Sequence, residues 1–151
     1  MRPHTILATA LILAAPALHA QVPADTPQAR GVFPRAARFQ NADMHMLQKG
    51  YVRCFAAEND GVVESAIAQV VRMRLARPDA PMKDIRAALA QLSQAARTPA
   101  IRYKAYLAEL AFDCPAMFVE VRDENFASYE QFYASLTSRV QSELIGQAGT
   151  E

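Results

Sequence analysis

The chain contains no tryptophan, five glycines, three histidines and two cysteines among 151 residues. Each scarcity excludes some chemistry. A phosphate cradle needs several glycines close together, so that backbone amides can converge on the anion, and no such loop occurs. Two cysteines without a CxxC and so few histidines cannot assemble a zinc-type ligand set. Without Trp, the usual sugar-stacking platform is missing. Neither sign of charge dominates: 16 Lys and Arg stand against 15 Asp and Glu. A nucleic-acid binder needs a basic stripe, and a peripheral membrane protein needs a polybasic amphipathic face; neither pattern occurs. Beyond the first twenty residues, no apolar run is long enough to span a bilayer.

The N-terminus carries an address. Arg2 precedes an apolar run from Ile6 to Ala15, Pro16 breaks it, and Ala17-Leu18-His19-Ala20 offers a cleavage site. This order is that of a secretory signal peptide, and about ten apolar residues are too few for a membrane span. Cleavage after Ala20 is expected, with Ala17 as the alternative. The protein is then periplasmic or secreted, and not inserted in a membrane after the signal is removed. In an oxidising compartment, Cys54 and Cys114 are expected to form one disulfide, closing a loop worth about 4 kcal/mol in the chain-entropy model. Two buried free thiols are the alternative.

Residues 21–40 hold Pro23, Pro27 and Pro34 with scattered arginines and no sustained periodicity, and read as a flexible lead-in. The following segment, 41–145, reads as a single helical domain, with 146–151 as a frayed tail. Asn41 is the expected cap of a helix over 42–58. Asn59-Asp60-Gly61 caps the next, whose stripe is Val62, Val63, Ala66, Ile67, Val70, Val71 and Leu75. On that helix Glu64, Ser65, Gln69, Arg72 and Arg74 are expected to face water. A third helix spans 82–96, with Met82, Ile85, Leu89 and Leu92 on one face. Thr98-Pro99 is a strong start signal for a fourth, over 99–113, because proline at the first helical position loses no hydrogen bond. A short helix over 116–121 and a terminal helix opened by the capping box Ser128-Tyr129-Glu130-Gln131 complete the reading, which is all-α.

The second and fourth helices echo one another. Val62 aligns with Ile101, Ala66 with Ala105 and Val71 with Leu110, each at the same offset. That offset, about 40 residues, is the period of stacked helix pairs. Ile101-Arg102-Tyr103-Lys104-Ala105 with Ala108 and Leu110 resembles the second helix of HEAT and armadillo-type repeats. The segment is also similar to helical pairs in small secreted bacterial proteins. The resemblance implies a short HEAT-like array, or an irregular bundle of about five helices, that binds partners and carries no catalytic residue. Two features depart from it. One further period beyond Thr98 falls on Thr137, inside a helix, and a regular stack holds Cys54 and Cys114 apart.

The candidate binding residues are Arg102, Tyr103 and Tyr106, because Arg and Tyr supply much of the energy at interfaces. The expected partner is another envelope or exported protein. Met44-His45-Met46 is the one hint of a soft metal, but neighbouring helical residues point to different faces. Glu109 with Asp113, and Glu120 with Asp123 and Glu124, are the carboxylates available for hydrolysis. A solvated helix face explains them more simply. The expectation is a non-enzymatic interaction module without cofactor or metal; a small carboxylate-based hydrolase and a small-molecule or metal carrier are the alternatives.

Overall fold

The computed structural model describes Phe33 and residues 43–148. The expected signal peptide, and the lead-in apart from Phe33, lie outside the described residues. Among the described residues six α-helices pack together: α1 Met44–Phe55, α2 Asp60–Ala76, α3 Lys83–Ala95, α4 Pro99–Asp113, α5 Val119–Asp123 and α6 Tyr129–Ala148. A 3-10 turn, Pro115–Phe118, joins α4 to α5. Among the described residues there is no strand.

The helix starts follow from their caps. The Asn59 side chain accepts from the amides of Gly61 at 2.9 Å and Val62 at 3.4 Å. A Cβ on Gly61 would sit 3.2 Å from that oxygen, so the glycine leaves room for the capping carbonyl. Thr98 caps α4 through the Ile101 amide, with Pro99 at the first position. At α6, Ser128 Oγ accepts the Gln131 amide, while Gln131 Oε1 reaches back to Ala127, one residue before the cap. The α1 start differs from expectation. Asp43, not Asn41, is the cap, accepting from His45 and Met46, and Asn41 lies outside the described residues. At the other end, α6 continues to Ala148, past the expected limit of 145.

The helices form two pairs. From the start of α1 to that of α3, and again from α2 to α4, the chain advances by about 40 residues. α1 packs on α2 and α3 on α4; α1 also packs on α3, and α2 on α4. The α2–α3 connection therefore crosses the diagonal of the four-helix set instead of joining neighbours. The chain from Pro115 onward does not start a third pair. The 3-10 turn, α5 and α6 fold back against α2 and α4 instead.

This placement makes α2 the centre of the molecule. Ile67, Ala68, Val70, Val71 and Met73 are wholly buried, and they cover nearly the full circumference of the helix. Fully burying a side chain of Val or Ile size contributes about 1.5–3 kcal/mol. α4 adds Ala105, Leu107, Ala108 and Ala111; the C-terminal segment adds Phe118, Val121, Phe132 and Leu136. The expected water-facing side of α2 is thus corrected. Glu64, Ser65, Gln69, Arg72 and Arg74 are all half-buried, because the C-terminal segment and α4 cover the sides that a two-pair stack alone would leave open. Val62, expected in the apolar stripe, is instead exposed in the first turn.

Candidate functional site

The three residues singled out on α4 do not act as one cluster. Arg102 turns toward the end of α3, where its guanidinium donates to the Ala96 carbonyl at 2.7 Å. It thereby satisfies an orphan carbonyl at a helix C-terminus, which is a structural task. Tyr103 turns toward α6. The Thr137 hydroxyl donates to the Tyr133 carbonyl, so the Tyr103 hydroxyl is the donor in its 3.1 Å bond to Thr137 Oγ1. Its ring remains 49% exposed, and Tyr106, one turn along the same face, is 50% exposed. Two exposed tyrosines thus stand on successive turns of α4, the first held beside α6 by its hydroxyl.

Directly beneath lies a network joining three helices. Lys104 Nζ of α4 sits 2.6 Å from Glu64 Oε1 of α2, both side chains about one-fifth exposed. The same ammonium lies 4.9 Å from the centre of the Tyr133 ring on α6, within cation–π range. Tyr133 closes the circuit by donating to the Glu64 carbonyl at 2.8 Å. Burial first, and the Glu64 carboxylate second, hold the Tyr133 phenol well above the ordinary tyrosine value of 10.0. It is a neutral donor at physiological pH.

A second aromatic group surrounds Phe33. Its ring packs edge-on against Phe126 and Tyr129, and tilted against Phe132 at 4.8 Å. The Arg72 guanidinium lies 5.1 Å from its centre and 5.9 Å from that of Phe126. Arg72 is fixed by donating to the Val121 and Glu124 carbonyls at 2.7 and 3.1 Å. Burial lowers its pKa, against the opposing pull of Asp123 and Glu124. Sequence reading missed this group because Phe33 stands alone in an aperiodic stretch.

The carboxylates do not converge. Asp113 pairs with Arg86 at 2.6 Å, Glu120 with Arg139, and Asp123 with its neighbour Arg122 at 2.8 Å; Glu124 accepts from Ser135. His45 and Met46 are exposed on α1, whereas Met44 packs against the core with its sulfur 3.3 Å from Arg77 Nη1. Among the described residues, no three His, Cys, Asp or Glu side chains come together as a metal site. No helix among them is long and apolar enough to cross a membrane.

The structure does not bear out the expected bridge between the two cysteines. Cys54 and Cys114 are both free, the first half-buried and the second exposed. Phe55, next to Cys54, lines a shallow pocket together with Ile101, at the start of α4. Cys114 follows the other end of that helix. At 1.5 Å per residue, α4 holds the two ends about 20 Å apart, against a disulfide Cα separation of about 5.5 Å.

α1 and α3 flank a groove of about 340 Å³ lined by Val52, Phe55, Ala88, Leu92 and their neighbours. Its walls are mostly alanine and aliphatic, with the Gln91 side chain at the edge. Compared with protein-family models, curated proteins and solved structures, the chain matches none.

Proposed function

We propose that the chain is an exported, non-enzymatic helical interaction module that binds another envelope or exported protein through the Tyr103–Tyr106 face. The observation that carries this reading is the placement of the two tyrosines. Both rings are half-exposed on successive turns of α4, and Tyr103 is already tied to Thr137 before any partner arrives. An aromatic side chain pre-ordered in this way loses little freedom on binding, which is why such residues dominate interface energetics. The two stacked helix pairs, one period apart, support a likeness to HEAT-type scaffolds. Export rests on the N-terminal pattern of Arg2, the apolar run and Ala20.

The face differs from that of an open repeat array. There, the second helices of successive pairs line a continuous concave surface. Here α6 lies across α2 and α4, so the surface offered is the rim between α4 and α6.

Site-specific photo-cross-linking in the native host tests the proposal. A photoreactive phenylalanine at position 106 is expected to give a discrete protein adduct, while the same group at exposed Gln94 on α3 gives none. Identical adducts from both positions, or none from either, would overturn the reading.

A second reading rests on the α1–α3 groove, whose apolar lining suits a small hydrophobic ligand. Saturable binding of a fluorescent apolar probe, lost on Ala88→Glu, would favour a carrier.

A further inference from the structure

We infer that the overhanging end of α6, residues 141–148, is a ridge that seats in the α1–α3 groove of a second copy of the chain, so that the protein self-associates head to tail.

The ridge continues a stripe that is already in use. Leu136, Val140 and Leu144 recur every fourth residue and so share one side of α6. Leu136 is wholly buried and Val140 partly so, whereas Leu144 is 62% exposed and its neighbour Ile145 75%. Every residue from Gln141 to Gly146 is exposed. That stretch is more than one and a half turns long, so none of its sides is covered. The stripe that fastens α6 to the core therefore runs on past it. A helix end this short has little stability of its own, and covering Leu144 and Ile145 takes apolar surface out of water.

The groove is the matching recess. α1 and α3 run side by side in the same direction: Gln48 meets the Asp84 amide, and Val52 and Ala88, each four residues on, line the groove together. Phe55 and Leu92 supply its larger apolar surface, while Ala56, Ala88 and Ala95 leave room for a helix to approach closely. Past Ala56 and Ala96 it runs into the shallow pocket beside Ile101. An elongated apolar recess of this kind takes a helix through side chains spaced by three or four.

Position and charge select the occupant. α6 packs on α2 and α4, whereas the groove lies between α1 and α3, so ridge and groove of one chain do not meet. α1 contains Lys49 and Arg53 and no acid. Neither takes part in a salt bridge among the described residues. Lys49 lies one turn before Val52 on the groove side of α1. Residues 141–148 carry one charge, that of Glu143, next to Leu144 and Ile145. An acidic ridge thus faces a basic rim. Because the two surfaces differ, each contact leaves a ridge open at one end and a groove at the other. A ridge of about two turns buries less than the roughly 1,200 Å² of stable complexes, so the expected Kd is about tens of micromolar.

Sedimentation equilibrium of the host-processed protein between about 10 and 500 µM tests the inference. The mass of the unsubstituted protein should rise with concentration. Leu144→Glu combined with Ile145→Glu blocks the ridge, and Ala56→Glu blocks the groove; all three positions are exposed, so helix content by circular dichroism should not change. Each variant alone should stay monomeric. An equimolar mixture should form a dimer and nothing larger, since one partner keeps only its groove and the other only its ridge. Lys49→Glu should weaken self-association at least about threefold. A labelled peptide of residues 134–148 should bind the ridge-blocked chain at least about tenfold more tightly than the Ala56→Glu chain. An unsubstituted protein that stays monomeric throughout, an Ala56→Glu chain that still associates with itself, or a mixture of the two variants that stays monomeric would overturn the inference.

Discussion

Gln48 Oε1, on α1, accepts the backbone amide of Asp84 at 3.1 Å and so caps a helix other than its own. The cap position of α3 is Met82, which has no side-chain oxygen to offer, whereas the equivalent position of the first pair is Asp43. The first pair thus supplies to the second the cap that its own sequence lacks. Gln48 is 7% exposed, the one buried polar side chain among the described residues. Replacing it by alanine removes the cap and leaves a space between α1 and α3. We expect Gln48→Ala to cost about 1–2 kcal/mol in urea denaturation. Gln94→Ala, on an exposed part of the same α3, should stay within about 0.5 kcal/mol.

The Glu64–Lys104 pair should couple α2 to α4 measurably. It is mostly shielded from water, and Lys104 also meets the Tyr133 ring. A double-mutant cycle with Glu64→Gln and Lys104→Met is expected to give a coupling of about 1 kcal/mol, toward the upper end for accessible pairs. Zero coupling would mean that the pair is incidental to the packing of the two helices.

Alkaline pH should weaken the fold through Tyr133. Its phenol is held above the ordinary value of 10.0 in the folded protein, mainly by burial. The folded state therefore keeps a proton that the unfolded chain has already lost. Stability from this group is complete below about pH 10 and is lost as pH rises toward and through the folded value. Tyr51, raised by burial and by Cys54 and Tyr129, adds in the same direction. Tyr133→Phe should reduce the steepness of the alkaline loss of stability, measured by denaturation between about pH 9 and 11. An unchanged slope would place the titration elsewhere.

Much of the fold is legible from local signals. Asn59, Thr98-Pro99 and Ser128 mark helix starts because a capping side chain acts within three residues of itself. The echo between α2 and α4 is legible for the same reason, since both of its cap signals are local. What escapes reading depends on contacts far apart in the chain. Arg72 and Arg74 look like surface residues, yet their guanidiniums reach the Val121, Glu124 and Phe112 carbonyls. Only the return of the chain after Pro115 puts the first two of those carbonyls within reach. Gln48 caps a helix well beyond its own turn of chain, and Phe33 has no periodic neighbours to mark it as packed. The candidate patch divides for a similar reason. Arg102 and Tyr103 are adjacent in sequence, but α3 claims one and α6 the other.

The thiols give an independent check on the stack. Phe55, the neighbour of Cys54, lies by the start of α4, whereas Cys114 follows its other end. Denatured, unreduced protein should therefore titrate with two free thiols per chain. A monomer without free thiol would require α1 and α4 to pack quite differently.

The central claim is that the C-terminal segment completes the core around α2 and is not an appendage to a two-pair stack. Native-state hydrogen exchange on a Phe132→Ala chain tests it most directly. Phe132 is fully buried on α6, and emptying such a site costs about 3–5 kcal/mol. If α2 and α6 share one cooperative core, the slowest amides, expected over 66–73, should exchange at least about a hundredfold faster in the variant. Acceleration confined to α6, with the α2 amides as slow as before, would contradict the account.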